Sequence, residues 1–87
     1  MFVLGLATIL LGAVVTIVTT AFINALYLRN EIKSRYKDAV KAIIKSKDVS
    51  VVHVDVYDQN NNKIKEVEIK SETGVDSSIC VSQTYKI

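Results

Sequence analysis

The sequence contains no proline, only three glycines and a single cysteine. A lone cysteine, Cys80, cannot form a disulfide within the chain. Glycine and proline most often interrupt a helix, and the chain has neither between Gly12 and Gly74. The composition therefore allows long uninterrupted elements and excludes a small fold held together by disulfides.

Charge is also absent from the first third of the chain, because no charged residue lies between Phe2 and Leu28. A helix needs about 20 apolar residues to cross the hydrocarbon layer of a bilayer, and this segment is longer. A cleaved signal peptide has a basic start and a short apolar core, whereas only Met1 precedes this run. The pattern predicts a single-pass transmembrane helix and a membrane localisation.

The segment after Leu28 keeps helical periodicity to about residue 47. At about 100° per residue its apolar side chains fall on one arc and its lysines mostly on the other side. We therefore expect one long N-terminal helix. Its hydrophobic, transmembrane half comprises residues 1–28, and its amphipathic second half comprises residues 29–47.

Three later segments, residues 49–57, 64–71 and 77–87, alternate between apolar and polar side chains as β-strands do. A sheet this small needs a cover to be stable, and the amphipathic half of the helix can supply it. We therefore expect an α+β fold, in which a three-stranded antiparallel sheet packs on that half to form an αβββ domain over residues 29–87. The expected helix–sheet core comprises Ile32, Tyr36, Val40, Ile43, Val52, Val54, Val56, Val67, Ile69, Ile79 and Val81.

Small residues recur along the hydrophobic segment at spacings of three and four. Helices in a membrane associate where small side chains allow their backbones to approach closely. We therefore predict a surface for lateral helix–helix packing. It comprises Gly5, Thr8, Gly12, Thr16 and Thr19.

Basic residues greatly outnumber acidic ones between Arg29 and Lys47. They would orient a membrane protein with this side in the cytoplasm, contact anionic lipid headgroups, or form the solvated face of the helix, and these interpretations stay open. Nucleic-acid binding is not expected, because no aromatic residues are interleaved with the basic ones. The predicted membrane-interface and basic residues are Tyr27, Arg29, Lys33, Arg35, Lys37 and Lys41.

No constellation of residues in the sequence indicates catalysis or cofactor binding. His53 and Asp55 lie on one face of a predicted strand, but one imidazole and one carboxylate do not make a metal site. The run from Asp58 begins like a calcium loop, yet Lys63 and Ile69 occupy the positions that require glycine and glutamate. We therefore predict a protein that is not an enzyme and has no cofactor or metal.

A long N-terminal helix over residues 2–47, hydrophobic and then amphipathic, followed by an antiparallel meander over 49–87, resembles type IV pilins and their archaeal relatives. The resemblance is one of architecture, and the chain has Gly5 where many pilins have glutamate. It implies a non-catalytic structural subunit. The N-terminal helix of such a subunit packs with other copies, as a homo-oligomer, in a filament or a membrane-embedded assembly.

The alternative is a single-pass accessory or assembly subunit of a membrane complex or a virion membrane, with a cytoplasmic docking domain. In both cases the lipid bilayer is an expected partner. The two hypotheses differ in the side of the membrane on which residues 29–87 lie, and the sequence leaves this open.

Overall fold

The computed structural model describes residues 14–87. The strands form one mixed five-stranded sheet, in the order β1-β4-β3-β2-β5. In chain order the elements are β1 (Val14–Thr19), α1 (Ala25–Arg35), β2 (Lys41–Lys47), β3 (Val51–Tyr57), β4 (Lys63–Ser71) and β5 (Thr84–Lys86).

Strand β1 is built from the sequence VVTIVT, in which every residue is β-branched. Such side chains lose rotamer freedom in a helix and pack well on a pleated sheet. The strand runs parallel to β4, with Val14 opposite Glu66 and Thr19 opposite Ser71. Pairing with β4 therefore makes a strand of a segment whose hydropathy alone predicts a membrane helix.

Helix α1 crosses one face of the sheet. Strands β2, β3 and β4 are successive antiparallel neighbours and β1 is parallel to β4, so β1 and β2 run in the same direction with two strands between them. Parallel strands need a crossover connection, which is usually a helix. The buried residues of α1, Leu28 and Ile32, belong to the same core cluster as the covered side of the sheet.

The start of α1 is fixed by an N-cap. The side chain of Asn24 accepts a hydrogen bond of 2.8 Å from the backbone N–H of Tyr27, which satisfies a donor that the first helical turn leaves free. Ile23 and Leu28, which flank this cap, are both fully buried. These are the two positions that form a hydrophobic staple at a helix N-terminus.

The prediction of one long helix over residues 2–47 is wrong. Within residues 14–87 the helical segment is α1, which has 11 residues and ends where Tyr36 adopts an extended backbone conformation. The segment Lys41–Lys47 pairs with β3 instead, and its Ala42 and Ile44 side chains are buried. A short apolar run is compatible with both the helical period and the strand period. Pairing with β3 makes this segment a strand.

The prediction of a single-pass transmembrane protein is also wrong. Among residues 14–87 no helix is long and apolar enough to cross a bilayer, which overturns the predicted membrane localisation as a single-pass protein. The first part of the predicted membrane helix, residues 1–13, lies outside the described residues.

The antiparallel sheet also differs from the expected three strands. Strands β3 and β4 lie within or next to segments where alternation predicts strands, whereas residues 77–83 form turns and only β5 remains of the third. Strand β5 pairs with β2 rather than with β4, because β4 already has β1 on its other side. The sheet thereby gains two strands, β1 and β2, from the segment predicted to be helix.

Most residues of the predicted helix–sheet core are buried. On β3 and β4 the apolar side chains alternate towards α1, as the period of two requires. Tyr36 and Ile43 are half-buried. Val40 and Val81 are exposed, because Val40 lies just before β2 rather than on a helix, and Val81 lies in a turn rather than on a third strand. The buried members are Ile32, Val52, Val54, Val56, Val67, Ile69 and Ile79.

Ser71, at the end of β4, is the one polar residue among the described residues that is buried. Its hydroxyl donates a hydrogen bond to the carbonyl oxygen of Ala21 and accepts bonds of 3.1 Å from the N–H groups of Thr73 and Gly74. These bonds join the segment that follows β1 to the loop that follows β4.

Replacement of this hydroxyl is expected to destabilise the fold. Ser71→Ala leaves two backbone donors and one acceptor without their partner, and an unsatisfied buried polar group costs about 1–3 kcal/mol. We expect the free energy of unfolding, measured by urea denaturation, to fall by about that amount. Ser46→Ala, at an exposed position of β2, is the control, and an equal loss in both variants would contradict this role.

Candidate functional site

The outer side of β1 is an open edge of the sheet. Within residues 14–87, β1 pairs only with β4, so half of its backbone groups have no strand beside them. Proteins protect such edges with charges, proline, bulges or very short strands, because a free edge pairs readily with another chain. Strand β1 has six residues and contains neither a charge nor a proline.

The opposite edge, formed by β5, is protected. This strand has three residues, and its Lys86 lies directly opposite Lys41 of β2. A short strand with lysine is a poor template for a further strand. The contrast between the two edges makes β1 the candidate functional site.

The register with β4 determines which backbone groups of β1 point outwards. The carbonyl oxygen of Thr19 accepts a bond of 3.1 Å from the N–H of Glu72, while Thr19 is aligned with Ser71. In a parallel ladder this geometry directs both backbone groups of alternate residues to the same neighbour. Thr19, Ile17 and Val15 therefore bond to β4, and the N–H and C=O groups that point outwards are those of Val14, Thr16 and Val18.

The same three residues place their side chains on the face of the sheet opposite α1. Val14 is 42% exposed and Val18 is 72% exposed, whereas Ile17 on the other face is buried. The hydroxyl of Thr16 donates a bond of 3.2 Å to Glu68 Oε1 on β4. The edge therefore combines free backbone groups with two exposed apolar side chains.

Two carboxylates of β4, Glu68 and Glu66, form side-chain hydrogen bonds beside this edge. Glu68 Oε2 lies 2.7 Å from His53 Nε2. This hydrogen bond, and secondarily that from Thr16, lowers the pKa of the Glu68 carboxyl. Glu66 lies 3.0 Å from Lys63 Nζ, and hydrogen bonds to this and a second lysine, Lys45, lower its pKa as well. Such exposed pairs contribute little to stability, but they give both of these carboxylates a partner.

The described part of the chain does not assemble a metal site, since no group of three or more His, Cys, Asp or Glu residues in it could hold an ion. Two depressions of about 390 and 420 Å³ flank the turn after β3. Their polar groups bond to one another: Lys41 Nζ donates to Asn61 Oδ1, and Asp58 Oδ1 accepts from the N–H groups of Asn60 and Asn62.

The residues predicted for helix–helix packing do not form one stripe. Thr16 faces the open side of the sheet and Thr19 the side that α1 covers, because neighbouring positions of a strand alternate. Gly5, Thr8 and Gly12 lie outside the described residues.

The predicted membrane-interface and basic residues are distributed over three elements. Tyr27, Arg29, Lys33 and Arg35 lie on α1, Lys37 lies in the turn after it, and Lys41 lies on β2. Three of them contact aromatic or acidic side chains of this chain. The Arg29 guanidinium lies 5.8 Å from the centre of the Tyr85 ring, Lys41 Nζ lies 5.1 Å from that of Tyr57, and Arg35 pairs with Glu31.

The β1 edge was not predicted from the sequence. The signal that could have found it is the unbroken run of β-branched residues, together with Asn24 as a helix N-cap shortly after it. Comparisons of the chain with protein-family models, curated proteins and solved structures found no match. The resemblance to pilins therefore stays a prediction, and it has lost the long helix on which it was based.

The Glu68 carboxyl is expected to titrate below the ordinary value of 4.5. Because folding lowers this pKa, the ionised carboxylate stabilises the fold above pH 4.5, and that contribution is lost as the pH falls through the lowered value. His53→Ala should raise the pKa of Glu68, and Thr16→Val should raise it by less. Carboxyl-detected NMR titration measures both, with Glu66 as an internal control, and an unchanged Glu68 pKa in His53→Ala contradicts this assignment.

Proposed function

We propose that this chain is a non-catalytic structural subunit that joins an assembly by strand addition at β1. An extended strand of another protein chain pairs with the outward N–H and C=O groups of Val14, Thr16 and Val18. The observation that carries this proposal is the unprotected β1 edge, which contrasts with the short, lysine-bearing β5 edge.

Strand addition suits the chemistry of this edge. In this mode main-chain hydrogen bonds provide affinity, and alternate side chains provide specificity. The outward residues supply the hydrogen bonds, and the exposed Val14 and Val18 supply apolar surface on one face. β-branched residues also have the highest preference for the extended conformation that the pairing needs.

The edge is held in place before any partner arrives. All six residues of β1 are in register with β4, and Ile17 is buried in the core. Beyond the strand, Ala21 and Thr20 accept hydrogen bonds from the hydroxyls of Ser71 and Thr73. A preorganised edge loses less conformational entropy on binding, so more of the interaction energy appears as affinity.

Val18→Pro tests this proposal. Proline removes an outward N–H and places its ring in the path of an incoming strand, but it costs no bond to β4 because edge strands tolerate proline on their open side. We expect the full chain, detected by a label in extract of the cells that produce it, to sediment in a larger particle. Val18→Pro should shift at least about tenfold more of the chain to the monomer position, as expected if about 1.4 kcal/mol of pairing is lost.

Val18→Thr is the matched control, because threonine keeps both the N–H group and the β-branched shape. It should sediment like the wild type, and thermal unfolding should show that both variants remain folded. A particle that persists in Val18→Pro, or a wild-type chain that is monomeric in the extract, would overturn the proposal.

A further inference from the structure

We infer that the strand added at β1 is β1 of a second copy of this chain, paired antiparallel about a two-fold axis that passes beside Thr16. The inference rests on the proposed function, since it names the partner of the same edge. Three features of β1 support it: the β1 strands of two copies are complementary in their outward backbone groups, in the faces of their side chains and in the charges beside them.

The first argument concerns backbone groups and faces together. The two residues of a hydrogen-bonded pair in an antiparallel ladder exchange both N–H···O=C bonds. A residue whose backbone groups point outwards must therefore lie opposite another such residue. In β1 these are Val14, Thr16 and Val18, whose side chains also share the open face. A two-fold axis perpendicular to the sheet meets both conditions at once, and it places the two α1 helices on the same side of one continuous sheet.

The second argument fixes the register. The outward residues are centred on Thr16, with Val14 and Val18 at equal distances along the strand. With Thr16 opposite its own symmetry mate, Val14 of each copy lies opposite Val18 of the other. Every outward group within β1 is then paired, and the exposed valines cover each other, which is a favourable cross-strand pair. A shift by two residues leaves one outward residue without a partner from β1.

The third argument concerns charge. Next to Val14 lies Glu66 of β4, and next to Val18 lies Lys70. With Val14 opposite Val18 of the other copy, Glu66 of one β4 strand would lie in the same row across the joined sheet as Lys70 of the other β4 strand, and these charges are opposite. Among the charged side chains on the open face of β4, the nearest like charges are the two Glu68 side chains, three strand spacings or about 14 Å apart, beyond the screening length of about 10 Å. Self-pairing thus brings no like charges on this face of the sheet together, which favours an isologous contact.

Disulfide trapping tests this geometry in the full chain, with Cys80→Ser in every variant. Bonded antiparallel residues have Cα atoms about 5.5 Å apart, within the range of about 4.4–6.8 Å that disulfides span. Thr16→Cys should therefore give a covalent dimer as the main product under oxidised glutathione. Thr84→Cys, at the exposed first position of β5, is the matched control and should stay largely monomeric.

The register has its own test. Val18→Cys chains alone should not cross-link efficiently, because the residue opposite Val18 is Val14. Mixed with Val14→Cys chains, they should form covalent heterodimers. Equal cross-linking at Thr16 and Thr84, or efficient homodimers of Val18→Cys, would overturn the inferred pairing.

Failure of this inference is distinguishable from failure of the proposed function. If the purified chain is monomeric at all concentrations while its particle in extract still depends on Val18, the partner strand belongs to another protein. That outcome overturns self-pairing and leaves strand addition standing. If neither the purified chain nor the extract shows dependence on Val18, both are overturned.

Discussion

The parallel pairing of β1 with β4 is the interaction on which the rest of the structure depends. Parallel neighbours cannot be joined by a tight turn, so the chain must cross the sheet, and α1 provides that crossing and covers one face. The Asn24 cap and the buried Ile23 set the point at which α1 begins. The β2–β3–β4 meander alone would leave its apolar side, including Val54 and Val67, without this cover.

The same pairing creates the candidate site. Placing β1 beside β4 leaves it at the end of the strand order, and the register decides that Val14, Thr16 and Val18 present their backbone groups outwards. The β-branched residues that favour a strand here are also those that leave the edge uncharged. The pairing of β1 with β4 therefore both stabilises the fold and exposes a strand edge that can serve as a template for another strand. This is why we link assembly to this edge.

The sequence predicts strand β3 but not strand β1, and the two segments differ in a physical way. The period-two alternation of Val52, Val54 and Val56 identifies β3 directly, because one face of that strand is buried and the other is not. The run VVTIVT lacks that signal: it is uncharged throughout, so hydropathy predicts a membrane helix and ignores β-branching. Its strand character is decided by β4, about fifty positions later in the chain. The outward direction of Thr16 depends on that register, and no local pattern contains it.

Amide hydrogen exchange at Thr16, Ile17 and Val18, followed at increasing protein concentration, tests most directly whether β1 is a free edge that another chain covers. Exchange reports whether an amide is held in a hydrogen bond. Ile17, which bonds to β4, should be protected at every concentration. Thr16 and Val18 should exchange rapidly in dilute solution and become protected as the chain assembles. Protection of Thr16 and Val18 equal to that of Ile17 in the dilute monomer would contradict a free edge at β1.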